Sequence, residues 1–390
     1  MKRIQSIDFV RGLVMIFMTL DHTRDFMHAN PLNQNATDLA TTSPALFMTR
    51  WITHLCAPTF MFLAGTSAFL SLQKQSLSES RRFLFTRGLW LIFVNFTINN
   101  FGIFFDGHFG VFFSQVIAAF GFGFIGLGLL LRFSARTLGI IGLIIIFTHD
   151  LMQGNPFPQG TPMNIVSTLF MGVGFYQITP NHALLITYPI IPWLGIMLAG
   201  FGFGSIIVQA GENRKKRLLQ IGLGSLTLFA LVRTFNIYGD VSHWSFQKNA
   251  LFNFFSFINV SKYPPSLLFT LVTLGVSITL LSFFDTIQNK FTEIVSVYGK
   301  VPLFYWLLHW YVIHFVAIAV YLSQGYHWSD LNFEGMGFGR PKDGGGLPLW
   351  GVHIAWLSIV VALYPVAKWY GNYKLAHKEK TWLRYLWINQ

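Results

Sequence analysis

Long apolar runs recur along the whole chain and restrict it to one class of fold. They lie near residues 8–27, 51–72, 88–105, 111–131, 137–149, 183–208, 218–238, 264–284, 301–322 and 348–370. Most are long enough to cross the hydrocarbon core of a bilayer as a helix. Hydrophobic residues make up 53% of the chain and charged residues only 11%. The sequence therefore predicts an all-α polytopic membrane protein with about ten transmembrane helices, in a single domain at 1–390.

The basic residues indicate how these helices are oriented. Lys and Arg cluster near both ends of the chain and in the connections at 73–87, 132–136 and 214–217. Because cytoplasmic connections are enriched in Lys and Arg, we expect both termini in the cytoplasm. Four long connections then lie on the outer side: 29–50, 150–182, 239–263 and 323–347. The net charge of +12 thus reflects membrane topology and a lipid bilayer as partner, and we expect no nucleic-acid partner.

The first apolar run ends in a cluster of ionisable residues: Asp21, His22, Arg24, Asp25 and His28. Positions 21, 24, 25 and 28 share one face of a helix. Ionisable groups at a membrane edge are costly, so such a cluster is a candidate functional site. His22 lies three residues before Asp25, within side-chain reach of it, and a carboxylate beside an imidazole increases its basicity, as a general base requires. Ordinary ion pairs at a helix end are the structural alternative.

Polar residues in other predicted outer segments are candidates for binding a substrate. Arg50 and His54 are four residues apart at the outer end of the second run, where we expect them to face the first cluster. Asp240 and Trp244 lie in a second polar concentration at 233–265. These four residues suit a polar acceptor such as a sugar. For Trp244, anchoring at the membrane interface is the alternative.

Other patterns predict structure rather than chemistry. The small residues at 64–68 and the glycines at 195–204 are typical of closely packed helices. His309 and His314 are five residues apart, about 140° around a helix, which disfavours a shared metal ion. We expect at least one of them to be a buried neutral imidazole bonded to the backbone. Because Cys56 is the only cysteine, the chain has no disulfide framework of its own, and we expect no metal site.

Several segments carry a resemblance to a known family. They are Ser6-Ile7-Asp8-Phe9-Val10-Arg11-Gly12, Leu20-Asp21-His22-Thr23-Arg24-Asp25-Phe26, Arg50-Trp51 through Ala64-Gly65, Tyr188 through Gly195, Asn236-Ile237-Tyr238-Gly239-Asp240, Lys262-Tyr263-Pro264-Pro265-Ser266-Leu267 and Val301-Pro302-Leu303-Phe304-Tyr305. The chain resembles the bacterial DUF1624 family, which is related to the catalytic domain of heparan-alpha-glucosaminide N-acetyltransferase within the transmembrane acyltransferase group.

The resemblance implies acyl transfer across a bacterial cytoplasmic membrane. Acetyl-CoA, as donor substrate, would be engaged from the cytoplasm, and the acetyl group would pass to an amine or hydroxyl of an extracytoplasmic sugar or glycan. A histidine near the outer end of the first span would be the central catalyst. The motif Asp21-His22-x-Arg24 matches the bacterial pattern, whereas helix-face counting joins His28 to Asp21 and Asp25. The resemblance therefore favours His22, paired with Asp25 or Asp21, as the catalytic base, and His28 is the alternative. This chain has a shorter connection before its histidine than the lysosomal enzyme.

Such a reaction needs cations for the phosphates of the donor and hydrogen-bond donors for the oxyanion that forms from the thioester. Arg81, Arg82, Arg87 and Lys262 are the candidates for the donor, although membrane topology alone also accounts for the basic connection. Asn95, Asn99, His54 and Arg50 are candidates for the oxyanion. Two other classes stay open, namely a transporter with an intramembrane polar path and a membrane partner without chemistry. A homo-oligomer is also left open.

Overall fold

The computed structural model describes residues 4–29, 35–152, 154–377, 379–380 and 383. Within these residues the chain is mostly helical, with a π-helical turn at Asn95–Asn99. The α-helices are α1 Gln5–Met27, α2 Pro44–Thr53, α3 Cys56–Leu72, α4 Leu77–Val94, α5 Asn100–Phe104, α6 Val116–Leu130, α7 Ala135–Thr148, α8 Pro162–Met171, α9 Ile190–Gln209, α10 Arg214–Phe235, α11 Ala250–Ile258, α12 Leu267–Phe283, α13 Lys290–Lys300, α14 Pro302–Ser323 and α15 Leu349–Ala376.

Each predicted apolar run overlaps at least one of these helices, and the chain is a multi-pass membrane protein. Within the described residues, six helical stretches are long and apolar enough to cross a membrane: Pro44–Leu72, Ala135–Met152, Ile190–Gln209, Gly211–Phe235, Pro302–Ser323 and Leu349–Ala376. Helices α6 and α12 are apolar but shorter. The larger number of about ten spans, and the side of the membrane on which the termini lie, stay predictions.

The prediction of an all-α fold is wrong in detail, because two small sheets occur. Strands β1 Val111–Ser114, β2 Gly174–Thr179 and β3 His182–Ile186 form one sheet in the order β1-β3-β2, with β1 parallel and β2 antiparallel to β3. Strands β4 Leu331–Asn332 and β5 Arg340–Pro341 form an antiparallel pair. The predicted spans at 111–131 and 183–208 included β1 and most of β3, because a short apolar run does not distinguish a buried strand from a helix.

Helix α1 lies at the centre of the molecule and not at its periphery. It contacts α2, α3, α12, α13, α14 and α15, and most of its side chains are buried. The side chains of Asp8, Arg11, Asp21 and Arg24 are enclosed by protein, which removes much of the cost that charges pay in hydrocarbon. This central position places the predicted catalytic cluster where several helices can supply partners to it.

Glycines allow the helices to approach closely, as the small residues predicted. A Cβ atom added to Gly65 in α3 would lie 2.0 Å from the carbonyl oxygen of Met197, and one added to Gly200 in α9 would lie 2.0 Å from that of Phe62. Both distances are far below van der Waals contact. The prediction that these glycines form a packing surface is confirmed.

Residues in or directly beside the four segments predicted to share the outer side contact one another. Residue His28 bridges to Leu347, and the Asn259 amide donates to the carbonyl oxygen of Thr37. The ring nitrogen Nε2 of His149 lies 2.7 Å from the carbonyl oxygen of Pro265. Residues 30–34 of the first segment lie outside the described residues. Lys262 and Tyr263 of the third segment and Arg340 of the fourth lie at the end of α1 that carries the ionisable cluster.

Candidate active site

The carboxylate of Asp21 is the centre of an ion-pair network at the end of α1. Its Oδ1 lies 2.9 Å from Arg24 Nη2, and its Oδ2 lies 2.5 Å from Arg50 Nη1. The same nitrogen of Arg24 lies 2.5 Å from Oδ1 of Asp25. The shared helix face predicted for Asp21, Arg24 and Asp25 is thus present. The expectation that Arg50 faces this cluster is confirmed.

The imidazole of His22 has a different partner from the predicted one. Its Nδ1 lies 2.7 Å from Nε2 of His309 in α14, whereas both carboxylates of the cluster are engaged by arginines. The predicted pairing of His22 with Asp21 or Asp25 is wrong. The guanidinium groups of Arg24 and Arg50 compete for the carboxylates and bind them with charge-assisted hydrogen bonds.

The position of the proton on His22 follows from the partners of His309. Nδ1 of His309 faces the backbone carbonyl oxygens of Tyr305 and Trp306, which can only accept, so this nitrogen carries a proton. His309 is fully buried, and without a carboxylate partner in the described structure it is neutral. Its Nε2 is then an acceptor, and His22 Nδ1 donates to it. Nε2 of His22 is left without a proton.

Two tryptophans of α14 fix the orientation of the His22 ring. The ring of Trp310 stacks on it with centroids 3.8 Å apart and planes inclined by 22°. The ring of Trp306 contacts it edge-on, with centroids 5.7 Å apart. Because aromatic contacts on two sides leave the imidazole few rotamers, the orientation of the His22 ring is fixed by the protein itself.

His22 lines a cavity of about 150 Å³ at the outer end of α1. This volume is small beside the ~300–1,000 Å³ that encloses a drug-sized ligand, so the cavity fits a reacting group and not a whole acyl-CoA. The lining is aromatic with a few charged and amide side chains: Asp21, His22, Asp25, Phe26, Arg50, Ile103, Phe113, Gln115, Tyr188, Lys262, Tyr263, Trp306, Trp310 and Phe338.

Lys262 and Tyr263 form the wall contributed by the segment before α12. The Lys262 side chain is 9% exposed, and its Nζ lies 4.9 Å from the ring centroid of Tyr263. The enclosed surroundings of the Tyr263 hydroxyl oppose its ionisation, but the charges of Lys262 and Arg50 outweigh this and lower the pKa of Tyr263 from its ordinary value of about 10. The hydroxyl of Tyr188 lies 3.4 Å from that of Tyr263. Negative charge is therefore favoured at this wall.

Asp240 holds this wall in place and does not line the cavity. Its two carboxylate oxygens accept hydrogen bonds from the backbone N–H groups of Ser242 and Ser261 and from the hydroxyls of Ser261 and Ser266, at 2.6–2.8 Å. These contacts fix the chain on both sides of Lys262 and Tyr263. The predicted role of Asp240 in substrate binding is replaced by a positioning role.

Trp244 and His54 also lie away from the cavity. Trp244 packs edge-on against Phe246 and Phe257. His54 is buried where α2 meets α3, with its ring edge-on to that of Phe269 at 5.6 Å. Of the four residues predicted to bind the acceptor, Arg50 alone lines the cavity in the described structure.

His28 lies just beyond the end of α1 and outside the lining of the cavity. The guanidinium of Arg340 donates to the backbone carbonyl oxygens of Phe26 and His28, both at 2.8 Å, and so satisfies the last turn of α1. Burial and the charges of Arg24 and Arg340 lower the pKa of His28. The structure thus brings His22 and not His28 to the cavity.

The basic residues predicted to bind the donor do not converge on one site. Arg81 donates to the carbonyl oxygens of Gly128 and Leu129 at the end of α6, and Arg82 is exposed. Arg87 is buried and lines an apolar cleft of about 80 Å³ together with Met15, Phe60, Leu91, Ile117, Phe120, Phe124, Pro302, Leu303 and Trp306. Trp306 lines both this cleft and the cavity of His22.

Residues 3–239 match the family model described as heparan-alpha-glucosaminide N-acetyltransferase, catalytic. The match covers more than half of the chain. The chain belongs to this family. No individual protein with a curated description matches it. The expected resemblance to the catalytic domain of the N-acetyltransferase is confirmed.

The matched part of the N-acetyltransferase family domain contains only some of the residues at the cavity. It includes Asp21, His22 and Arg50, whereas Lys262 and His309 lie beyond its end. The family assignment supports a transferase, and an acetyltransferase in particular. The contacts from α14 and from the segment before α12 complete the site with residues that the match does not reach.

Sequence reasoning missed three groups at this cavity, namely His309, the two tryptophans of α14 and Gln115. His309 had one signal, since an ionisable residue in an apolar span needs a partner, and its predicted bond to the backbone is confirmed. Its second bond, to His22, joins residues that are far apart in the sequence. Gln115 stands directly before α6, and no local pattern marks it. Within the described residues, no group of three or more His, Cys, Asp and Glu side chains could hold a metal ion.

Proposed function

We propose that this protein is an integral-membrane acyltransferase that moves an acetyl group from cytoplasmic acetyl-CoA to an amine or hydroxyl of an extracytoplasmic glycan or amino sugar. His22 is the general base. The observation that carries this proposal is the contact from His22 Nδ1 to His309 Nε2 at 2.7 Å. With its proton on Nδ1, His22 has an unprotonated Nε2, and the ring, held by Trp306 and Trp310, lines a cavity of the right size for a reacting group.

The chemistry is a direct transfer. The acceptor nitrogen or oxygen attacks the thioester carbonyl carbon, and its proton passes to Nε2 of His22. The tetrahedral intermediate collapses, the bond between carbon and sulfur breaks, and the CoA thiolate takes the proton from the His22 imidazolium. His309 accepts from His22 Nδ1 throughout, so it orients the base and supports the positive charge that forms on it.

The charges around the cavity support the same step. Asp21, Asp25, Arg24 and Arg50 neutralise one another in pairs. Lys262 adds a buried ammonium group, and within the described residues no carboxylate lies within ion-pair distance of it. An excess of positive charge in an enclosed cavity stabilises the oxyanion and the leaving thiolate. Lys262 therefore contacts the acetyl end of the donor rather than its distant phosphates.

The apolar cleft at Arg87 supports a route for the donor from the other side of Trp306. Its apolar lining suits one short segment of the pantetheine arm of acetyl-CoA, which is as much as a volume of about 80 Å³ holds, with Arg87 placed toward the polar part of the donor. In this arrangement Arg81 and Arg82 contribute to membrane topology and helix packing. The acceptor then reaches the cavity from the outer side, where aromatic walls and Arg50 suit a sugar ring and its polar groups. The membrane is the bacterial cytoplasmic membrane.

The test uses the full-length protein purified in detergent. Acetyl-CoA binding and CoA release, with glucosamine as the probe acceptor, are measured for the wild type, His22→Gln and His28→Gln. We expect His22→Gln to bind acetyl-CoA and to lose CoA release by about 10²–10⁴-fold, whereas His28→Gln keeps it. Folded wild type that binds no acetyl-CoA would overturn the proposal that acetyl-CoA is the donor. Undiminished CoA release from His22→Gln would overturn the proposal that His22 is the base.

A transporter would make different use of the same residues. Its intramembrane charges would line a polar path at mid-depth, whereas the charged cluster here encloses a small cavity at one end of α1. Membership of an acetyltransferase family also favours the enzyme. Uptake of a sugar into vesicles without consumption of thioester would support the transporter instead.

A further inference from the structure

The amide of Gln115 is held at the cavity by neighbours that leave its nitrogen free. Gln115 is 7% exposed and lines the cavity with His22. It occupies the N-cap position of α6, yet its side chain makes no capping hydrogen bond. A buried amide usually binds the nearest backbone groups. The side chain of Gln115 turns toward the cavity instead.

Two neighbours determine which end of this amide faces the cavity. The indole Nε1–H of Trp306 donates to Asn99 Oδ1 at 2.7 Å. Because an indole can only donate, Asn99 must present its oxygen to Trp306 and its Nδ2 to the other side. Asn99 Nδ2 donates to Gln115 Oε1 at 3.2 Å. The oxygen of Gln115 is therefore occupied, and its Nε2–H₂ group points away from Asn99.

Nε2 of Gln115 has no acceptor within hydrogen-bond distance in the described part of the chain. The other neutral amides of this region are committed to backbone groups. Nδ2 of Asn95 donates to the carbonyl oxygen of Phe113, and Nδ2 of Asn100 donates to that of Val111. Nε2 is not among the fully enclosed side-chain atoms without a partner in the described residues, so it is accessible to a bound group. An unbonded donor fixed at this cavity, beside the proposed base, is suited to negative charge that develops there during a reaction.

One helix orders both halves of this arrangement. His309 of helix α14 determines which nitrogen of His22 carries the proton. Trp306 of the same helix determines the orientation of the Asn99 amide, and Asn99 in turn determines that of the Gln115 amide. His309 and Trp306 are three positions apart and so lie on one face of the helix. The π-helical turn brings Asn95 and Asn99 toward β1 and Gln115, and π-helical turns are frequent at functional sites.

We propose that Gln115 Nε2 donates a hydrogen bond to the thioester carbonyl oxygen and to the oxyanion that forms from it. Asn99 is a positioning residue that keeps the nitrogen of Gln115 directed at the cavity. This inference rests on the proposed acetyl transfer. No bond to Gln115 forms or breaks, because the proton of the acceptor passes to His22 and the electron pair of the carbonyl collects on the oxygen that Gln115 contacts.

The first experiment removes the donor. In Gln115→Met, a side chain of similar length has no N–H group, so we expect kcat to fall by about 10²–10³-fold while the Kd for acetyl-CoA changes little. The carbonyl stretching frequency of bound [1-¹³C]acetyl-CoA is measured in parallel by infrared difference spectroscopy. A hydrogen bond to the carbonyl lowers this frequency, and we expect the lowering in the wild type and its loss in Gln115→Met.

The second experiment reverses the amide without removing it. In Asn99→Asp, the new carboxylate still accepts from Trp306 but cannot donate to Gln115, so the Gln115 amide turns its nitrogen toward residue 99 and its oxygen toward the cavity. We expect the same spectroscopic change and a similar fall in kcat. Asn100→Asp is the matched control, because it disturbs a neighbouring amide that bonds only to β1. It is expected to leave the carbonyl frequency of any folded protein unchanged.

The outcomes separate this inference from the proposed function. Wild type that fails to bind acetyl-CoA would contradict the proposed function, in which acetyl-CoA is the donor. Wild type that binds and transfers acetyl, together with Gln115→Met that retains both kcat and the wild-type carbonyl frequency, would overturn the role of Gln115 alone. A loss of kcat with an unchanged frequency would also overturn it, since the amide would then support only the structure of the cavity.

Discussion

Nδ1 of His22 and Nε2 of His309 lie 2.7 Å apart and join the first helix of the chain to α14. The backbone carbonyl oxygens behind His309 determine the proton positions on both rings. A general base is usually oriented by a carboxylate, as in hydrolases with a catalytic triad. Here a second, neutral histidine orients His22, the base we propose, while the nearby carboxylates form ion pairs with arginines. The orientation of His22 thus depends on hydrogen bonds rather than on an adjacent negative charge.

Replacing His309 should therefore impair the base without removing it. In His309→Leu, His22 is free to adopt the other tautomer, so we expect kcat to fall by roughly 10²-fold with little change in acetyl-CoA affinity. CoA release and equilibrium binding are measured on the same detergent-purified protein. His314→Leu is the control, since this buried histidine of α14 bonds to the carbonyl oxygen of Ile103 and lies outside the cavity lining. Equal activity losses in the two variants would contradict the role of His309.

Asp21 and Asp25 should differ sharply in their contribution to stability. Asp21 is buried between Arg24 and Arg50, so Asp21→Asn leaves buried guanidinium charge without its carboxylate and should cost about 3–5 kcal/mol. The side chain of Asp25 is 51% exposed, so Asp25→Asn should cost less than about 1 kcal/mol. Thermal unfolding in detergent measures both. Similar melting temperatures for the two variants would show that the arginines are satisfied in another way.

This network also shows how far the sequence could predict the site. The spacing of Asp21, Arg24 and Asp25 on one helix face predicted their mutual contacts, because those contacts depend on local geometry. The approach of Arg50 was also predictable, since α2 follows α1 closely in the chain. The partner of His22 was not, because His309 lies 287 positions away and no periodicity encodes contacts between distant helices. Asp21, one of the carboxylates expected to pair with His22, forms ion pairs with Arg24 and Arg50 instead.

In the fold, too, features that depend on local sequence patterns were predictable, whereas contacts between distant parts of the chain were not. Apolar runs located the long helices, and the small residues at 64–68 and the glycines at 195–204 were correctly predicted to be packing surfaces, although the sequence did not predict that they pack against each other. The strands at Val111–Ser114 and His182–Ile186 were predicted to be parts of membrane-spanning helices. Their pairing joins distant parts of the chain, and no local sequence pattern indicates it. Asp240 and Trp244 had polar and aromatic character that suited a sugar site. Their actual contacts depend on how the outer segments pack.

The stability of the protein should fall at mildly acidic pH through His28. Burial and the charges of Arg24 and Arg340 lower the pKa of His28 in the folded state, so the unfolded chain binds its proton first as the pH falls through 6.5. Between about pH 7.5 and pH 5.5 the wild type should lose melting temperature relative to His28→Asn. The difference between the two curves isolates His28 from other titrating groups. Parallel curves would contradict this expectation.

Close packing of α3 against α9 should not tolerate a methyl group. A Cβ at Gly200 would lie 2.0 Å from the carbonyl oxygen of Phe62, so Gly200→Ala must separate the helices and should cost at least about 1–3 kcal/mol. Gly224→Ala is the control in α10, where nothing lies within 4 Å of the added atom, and it should be neutral or stabilising by up to about 1 kcal/mol. Destabilisation of both variants to the same extent would argue against a specific contact at Gly200.

Asp240 should affect the reaction through the wall formed by Lys262 and Tyr263. The hydrogen bonds that its carboxylate accepts from Ser261 and Ser266 hold both ends of this wall. Because a hydrogen bond to a charged group contributes about 1.5–3 kcal/mol, Asp240→Asn should lower stability by a similar amount. It should also lower kcat/KM for acetyl transfer in the folded protein, since Lys262 would no longer be directed at the cavity. Ser242→Ala keeps the backbone N–H that donates to Asp240 and should change neither property. A destabilised Asp240→Asn protein with unchanged kcat/KM would show that the wall does not position Lys262 for the reaction.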